Sequence, residues 1–99
     1  ENRFQGNGLY IMDEPEAALS PSRQLSFLAR LHQLVNTKSQ FIIATHSPIL
    51  LGYPDAWIYQ ASPHGLARVA WEDTDHYQIT RGFLNRPQTY LDVLLADDD

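Results

Sequence analysis

The sequence predicts an α/β fold built on two parallel strands that are joined by a helix. Two apolar runs without polar alternation, 9–12 and 41–44, are typical of strands buried on both faces of a parallel sheet. The stretch between them carries apolar residues at helical spacing. A strand, a helix and a strand in this order form a βαβ unit, so we expect a right-handed crossover and two strands that point the same way.

The first predicted strand, from Leu9 to Met12, runs straight into two carboxylates, Asp13 and Glu14. Pro15 has no amide hydrogen and disfavours helical backbone at the residue before it, so the strand should end here with Glu14 extended. The carboxyl edge of an open α/β sheet is where ligands bind. Two acids there are costly to hold without positive charge, which a hydrated magnesium ion carrying a phosphate would supply.

The central helix is predicted from Pro21 to Val35. Glu16 to Leu19 form a short loop before it, and Ser20-Pro21 is a good helix start, with serine capping and proline in the first helical position. One broad apolar stripe should face the core, and it consists of Leu25, Phe27, Leu28, Leu31, Leu34 and Val35. The opposite face should carry Arg23, Gln24, Arg30 and Gln33.

The second predicted strand, from Phe41 to Thr45, is followed by His46. Because parallel strands end at the same edge of a sheet, His46 should lie near Asp13 and Glu14 despite its distance in sequence. Ser47-Pro48 repeats the serine and proline pattern and should open a short apolar helix that Gly52 ends.

The rest of the chain reads as a small β-hairpin and C-terminal helices. Strands are predicted over 55–60 and 66–71 with a turn between them, and one or two short helices over 76–84 and 87–95. The aromatic residues of the hairpin favour cross-strand packing, because only Arg68 accompanies them. The segment 1–8 should hold a helix end and a turn, and the tail 97–99 should be solvated.

Composition limits the classes of function. The chain has 99 residues, 43% of them hydrophobic and 19% charged, and no cysteine, which excludes disulfides and thiolate metal sites. Its net charge of −5 and its seven scattered basic residues do not indicate a nucleic-acid-binding surface. No apolar stretch approaches the roughly 20 residues of a membrane span. We therefore expect a soluble, cytoplasmic protein.

Three motifs in this order resemble the heads of ATP-binding cassette (ABC) ATPases. They are Asp13-Glu14-Pro15 after an apolar strand, Ala18-Leu19-Ser20 just beyond it, and Ala44-Thr45-His46-Ser47 after the second strand. The resemblance covers residues 9–51 and implies a P-loop NTPase fold with a Walker B strand, a D-loop and a switch-histidine loop. It is closest to stand-alone ABC-like predicted ATPases of the AAA family.

The resemblance also implies a role for each residue. Asp13 would hold Mg²⁺, Glu14 would act as the general base, and His46 would contact the γ-phosphate of ATP. Ala18, Leu19 and Ser20 would form the D-loop that crosses to a partner head in a head-to-head homodimer, although many transporter heads carry aspartate where Ser20 stands. Glu16 is either a site residue or an exposed loop charge.

The Gly-rich P-loop pattern G-x-x-x-x-G-K-[ST] does not occur in the sequence, and the signature motif and glutamine loop are absent as well. We therefore expect residues 1–99 to be the C-terminal fragment of a single ABC-like ATPase domain, without Walker A and signature motif. Such a fragment binds and hydrolyses ATP only as part of a larger head and should be inactive alone.

Two alternatives remain open at this point. A metal-dependent nuclease would use Asp13, Glu14 and a further acid such as Asp73 or Asp75 to hold two metal ions. A non-enzymatic interaction module would retain the fold without the P-loop. The process that ATP hydrolysis would drive is not written in these residues.

Overall fold

The computed structural model describes residues 8–36 and 38–96. The predicted helix end and turn at the amino terminus, apart from Gly8, and the acidic tail 97–99 lie outside the described residues. The chain divides into two compact units, Glu1–Ala56 and Trp57–Asp99, and each is described by itself.

The first unit is the predicted βαβ arrangement. Strand β1 spans Leu9–Asp13, helix α1 spans Pro21–Val35 and strand β2 spans Gln40–Ala44. The two strands pair in parallel, and Asp13 stands opposite Ala44 at the end of the register. The prediction of two parallel strands with a connecting helix is therefore confirmed.

The sheet is covered less than its apolar strands suggest. Side chains alternate along each strand, and those of Leu9, Ile11 and Ile42 are 59%, 73% and 59% exposed. On the other face Tyr10 and Phe41 stack with ring centroids 5.1 Å apart. The expectation that both faces are buried does not hold for the described part of this unit, because α1 alone cannot cover two faces.

Helix α1 starts as predicted. Ser20 is the N-cap, its hydroxyl accepts the amide hydrogen of Arg23 at 3.3 Å, and Pro21 follows in the first turn. Leu31 and Leu34 are buried, but Leu25 at the start of the expected stripe is exposed. Only the C-terminal half of the stripe therefore contributes fully buried side chains.

Two connections are tighter than predicted. The expected loop before α1 is largely a 3₁₀ helix, Pro15–Ala18, and the short apolar helix after β2 is also 3₁₀, Leu50–Gly52. The hydroxyl of Ser47 accepts the amide hydrogens of Ile49 and Leu50 at 3.2 and 3.1 Å and so supports the turn that leads into this helix. The helix itself begins later than predicted, with Ile49 and not Ser47 as its N-cap. Ser47 is buried, unlike Ser20.

The second unit is a hairpin followed by two helices. Strands β3 (Ile58–Ser62) and β4 (Gly65–Val69) pair antiparallel, and helices α2 (Asp75–Asn85) and α3 (Pro87–Leu94) follow. The strands were predicted over 55–60 and 66–71, so β3 is shifted towards the turn and β4 ends earlier than expected. Trp57 therefore precedes β3, and Trp71 lies in a 3₁₀ helix. The Arg68 guanidinium lies 4.2 Å from the centre of the Trp57 ring, a cation–π contact that supports packing rather than base stacking.

A buried threonine starts α2. Thr74 is 1% exposed, accepts the amide hydrogen of Tyr77 and donates its hydroxyl to the Trp71 carbonyl at 2.8 Å. The Tyr90 hydroxyl occupies the space that a side chain at Gly82 would take, so this ring of α3 lies against α2. No helix among the described residues is long and apolar enough to cross a membrane.

Candidate functional site

The loops that follow β1 and β2 meet at the carboxyl edge of the parallel sheet. The amide of Glu14 donates to the carbonyl of Ala44 at 2.6 Å, which extends the pairing one residue beyond Asp13. The residues after this last rung, Glu14 on one loop and His46 on the other, are thereby brought side by side. The prediction that distant residues converge at this edge is confirmed for this pair.

Glu14 does not continue the strand. Its backbone is left-handed, with φ 51° and ψ 56°, and it forms the N-cap of the 3₁₀ helix that starts at Pro15. The prediction of an extended Glu14 is wrong, because the bond to Ala44 and the contact with His46 hold the residue in this turn. Such a conformation costs a non-glycine residue about 1 to 3 kcal/mol and is concentrated at functional sites.

The left-handed turn at Glu14, and not alternation along a strand, separates the side chains of Asp13 and Glu14. We expected alternation along an extended strand to send Asp13 and Glu14 to opposite sides. Instead the chain bends sharply at Glu14 and leaves the sheet, while Asp13 stays in the strand and is exposed. The same bend brings Glu16 against the loop after β2.

Glu14 and His46 form an ion pair when the imidazole is protonated. His46 Nδ1 lies 2.9 Å from Glu14 Oε2, and the two side chains are 72% and 45% exposed. An exposed pair of this kind contributes only about 0 to 1 kcal/mol to stability. Its effect is therefore to orient the two groups. An ionised carboxylate can only accept, so Nδ1 must carry the hydrogen.

Glu16 is the site residue whose role the sequence left open. Its Oε1 accepts the Thr45 hydroxyl at 2.7 Å, and its Oε2 accepts the backbone amide of His46 at 3.2 Å. The side chain is half-buried rather than an exposed loop charge. The position of Glu16, two residues after Glu14, was a signal in the sequence. The direction of its side chain depends on the left-handed turn at Glu14, which the sequence did not predict.

These contacts set the ionisation of Glu16. Burial raises the pKa of its carboxyl, but hydrogen bonds from the Thr45 hydroxyl and from the amides of Glu16 and His46, together with the charge of His46, outweigh that effect. The net pKa is lowered from the ordinary value of 4.5. Glu16 is therefore held as a carboxylate, the form that accepts both hydrogen bonds.

Glu14, Glu16 and His46 could together hold a cation. One ligand atom from each lies within 4.8 Å of the others. Among the described residues this group does not include Asp13, and the assignment of Mg²⁺ to Asp13 stays a prediction. Both oxygens of Glu16 already accept hydrogen bonds from the loop after β2, so the arrangement as it stands is a polar network that joins two loops.

One residue that the sequence analysis did not consider for the site, Gln24, links the segment Ala18 to Ser20 with the same loop. Its amide nitrogen donates to the Leu19 carbonyl at 3.1 Å, and its amide oxygen accepts the Ser47 hydroxyl in a short hydrogen bond. We predicted Gln24 on the solvent face of α1, whereas it is half-buried. Helical periodicity missed it because the partners of Gln24, Leu19 and Ser47, lie in loops on either side of the βαβ unit's helix and second strand.

The comparisons with known proteins concern this first unit. A protein-family model described as an AAA ATPase domain matches residues 1–51. The matched span contains β1, α1, β2 and every residue of the network around Glu14, Glu16 and His46. No curated protein and no solved structure matches the chain.

Proposed function

The chain belongs to the AAA ATPase domain family, and from that premise we propose that residues 9–51 are the hydrolysis edge of an ABC-type P-loop NTPase head. The observation that carries the proposal is the contact of Glu14 with His46, each placed by the end of a parallel strand. A carboxylate and an imidazole at one sheet edge are the two groups that would act on water and on the terminal phosphate.

Glu14 is proposed as the general base. Its Oε2 is engaged with the imidazole, so Oε1 is the oxygen that would polarise the attacking water and receive its proton. The left-handed backbone at Glu14 fixes where this carboxylate stands at the end of the strand. Catalysis of phosphoryl transfer relies on such positioning more than on covalent chemistry.

His46 is proposed to contact the γ-phosphate through Nε2. Since Nδ1 donates to Glu14, an additional hydrogen on Nε2 makes the ring an imidazolium. The sequence alone allowed either a neutral or a protonated donor. A phosphate contact through Nε2 would then place one positive ring between the Glu14 carboxylate and an anionic phosphate oxygen.

Asp13 is proposed to hold Mg²⁺, directly or through water, as the resemblance implies. A magnesium ion bound there would neutralise charge on the phosphates of ATP. Asp13 lies at the end of β1 and is exposed, so its carboxylate is accessible to a hydrated ion.

ATP binding also requires a phosphate-binding loop, and the 99 residues contain no P-loop pattern. We propose that a P-loop outside these residues completes the head, and we call a protein that contains both parts the complete ATPase. Ala18, Leu19 and Ser20 would face the partner head of a homodimer as a D-loop. Their carbonyl at Leu19 and hydroxyl at Ser20 support the start of α1.

The test is Glu14→Gln in the complete ATPase, with Glu72→Gln as a control that makes the same change in the second unit. Loss of a general base should lower the hydrolysis rate by roughly 10² to 10⁴ and leave ATP binding intact. The isolated 99-residue chain should show no turnover above background. Undiminished hydrolysis by Glu14→Gln, or turnover by the 99 residues alone, would contradict the proposal. If neither the complete ATPase nor the isolated 99-residue chain binds ATP, the non-enzymatic module is favoured instead.

A further inference from the structure

Several backbone amides of the loop after β2 donate to side-chain oxygens. The His46 amide donates to Glu16, the Ser47 amide donates to the Thr45 hydroxyl at 3.0 Å, and the next amides donate to the Ser47 hydroxyl. Thr45 in turn donates its own hydroxyl hydrogen to Glu16. The hydrogen bonds from the His46 and Ser47 amides thus end on Glu16, the second of them through Thr45, whereas the Ser47 hydroxyl donates to Gln24.

Glu16 and Glu14 contact different parts of the same histidine. Glu16 accepts from the main chain of His46, whereas Glu14 meets its ring. The rest of the Glu16 carboxylate is engaged by Thr45. His46 is thereby held at its backbone by one carboxylate and at its imidazole by the other, and both carboxylates come from the turn that follows β1.

We propose that Glu16 is a positioning residue that clamps Thr45 and the His46 backbone, so that the imidazole stays aligned with Glu14 at the sheet edge. We call Glu16, Thr45 and the amide of His46 the loop clamp. The loop clamp is a property of the fold, but its effect on hydrolysis rests on the proposed function. Misplacing a reacting group by about 1 Å costs about 10²-fold in rate. A small shift of the His46 imidazole after loss of the loop clamp should therefore slow turnover.

The loop clamp is tested first without reference to catalysis, by amide hydrogen exchange in the complete ATPase labelled with ¹⁵N-histidine. The chain has four histidines, so His32, His64 and His76 serve as internal references. Glu16→Gln and Thr45→Val should each shift the His46 amide resonance and accelerate its exchange about ten-fold, the change expected for one lost hydrogen bond. Thr45→Ser, which keeps the hydroxyl, and Glu72→Gln should leave it unchanged.

The functional consequence is tested in the complete ATPase with the same four variants. Glu16→Gln and Thr45→Val should lower kcat about 10- to 100-fold while the KM for ATP and the affinity for ADP stay nearly constant. Thr45→Ser should restore most of kcat. In the double variant Glu16→Gln/Thr45→Val, kcat should fall by less than the product of the two single decreases. Both substitutions remove the same hydrogen bond, from the Thr45 hydroxyl to Glu16.

Unchanged exchange at His46 in Glu16→Gln would overturn the clamp, and unchanged kcat in a variant whose exchange has risen would overturn its role in positioning. An equal loss in Glu72→Gln would also overturn it, since that residue lies in the second unit. Failure of the proposed function has a different signature, namely undiminished hydrolysis by Glu14→Gln, and the exchange measurement then decides the clamp by itself.

Discussion

At the scale of single residues, the site is a set of charges that compensate one another. Two carboxylates, Glu14 and Glu16, approach the same histidine, and they would repel each other without donors between them. The imidazole, the Thr45 hydroxyl and the His46 amide are those donors. Because the donors come from the loop after β2, the two loops stabilise each other's polar groups.

The lowered pKa of Glu16 predicts a pH dependence of stability. The folded protein favours the carboxylate more than the unfolded chain does, so the stabilisation is present above the ordinary pKa of 4.5 and is lost as pH falls through the lower folded value. Glu16→Gln should remove this part of the acid dependence. The free energy of unfolding from urea titrations, measured at pH values on both sides of 4.5, gives the comparison.

The matched control for this experiment is Glu72→Gln, which removes one carboxylate from the second unit. If Glu16→Gln and the parent chain lose stability in parallel as the pH falls, the hydrogen bonds to Thr45 and His46 do not favour the ionised form.

His46→Ala should affect ATP hydrolysis and ADP binding differently in the complete ATPase. ADP lacks the phosphate that the imidazole would contact, so its affinity should stay nearly unchanged while hydrolysis slows. Loss of one charge-assisted hydrogen bond in a shielded site is worth roughly 2 to 4 kcal/mol of transition-state stabilisation. Affinities for ADP and for a non-hydrolysable ATP analogue, measured beside the turnover rate, test this. An equal loss of affinity for both nucleotides would show that His46 only supports the loop.

At the scale of elements, the two Ser-Pro starts look alike in sequence but differ in burial. Ser20 caps α1 from an exposed position, and its hydroxyl accepts one amide hydrogen at 3.3 Å. Ser47 is buried, accepts two amide hydrogens and donates to Gln24. When a buried hydroxyl is removed, water cannot replace it as a hydrogen-bond partner. Ser47 should therefore contribute more to the free energy of unfolding than Ser20.

Ser47→Ala should therefore destabilise the fold more than Ser20→Ala. We expect a loss of about 1 kcal/mol for the exposed cap and about 2 to 3 kcal/mol for the buried one, from the unsatisfied amides and the Gln24 oxygen. Urea unfolding of the two variants beside the parent chain measures the difference. Equal losses would show that Gln24 and the loop amides find other partners when the Ser47 hydroxyl is absent.

At the scale of the whole molecule, the parallel sheet presents an apolar face to solvent. Leu9, Ile11 and Ile42 lie on that face and are each more than half exposed. A parallel sheet normally has cover on both faces, so this face is suited to burial against further structure. In the proposed head, the part that carries the P-loop would provide that cover.

The isolated chain should therefore be only marginally folded and should self-associate. Sedimentation velocity at tens of micromolar should show association that weakens in Ile11→Lys, because the substitution places a charge on the apolar face. Leu66→Lys is the matched control, since Leu66 is 72% exposed in the hairpin and Ile11 is 73% exposed in the sheet. A clean, stable monomer of the parent chain would count against a missing covering part.

The sequence by itself determined the order of the elements in both units. Apolar runs without alternation predicted β1 and β2, the Ser-Pro step predicted the start of α1, and turn residues predicted the hairpin. Each of these signals is local, because it depends on neighbouring residues or on one helical period. The meeting of Glu14 with His46 also followed from the sequence, since parallel strands must end at one edge.

Only the tertiary structure decided how the side chains at that edge are connected. The bond from Thr45 to Glu16 spans 29 positions and depends on a left-handed backbone at Glu14, which the following proline did not suggest. Gln24 likewise joins two loops that no periodicity relates. Local preferences are weak compared with the need to satisfy polar groups in closely packed loops, and that need exists only once distant segments have come together.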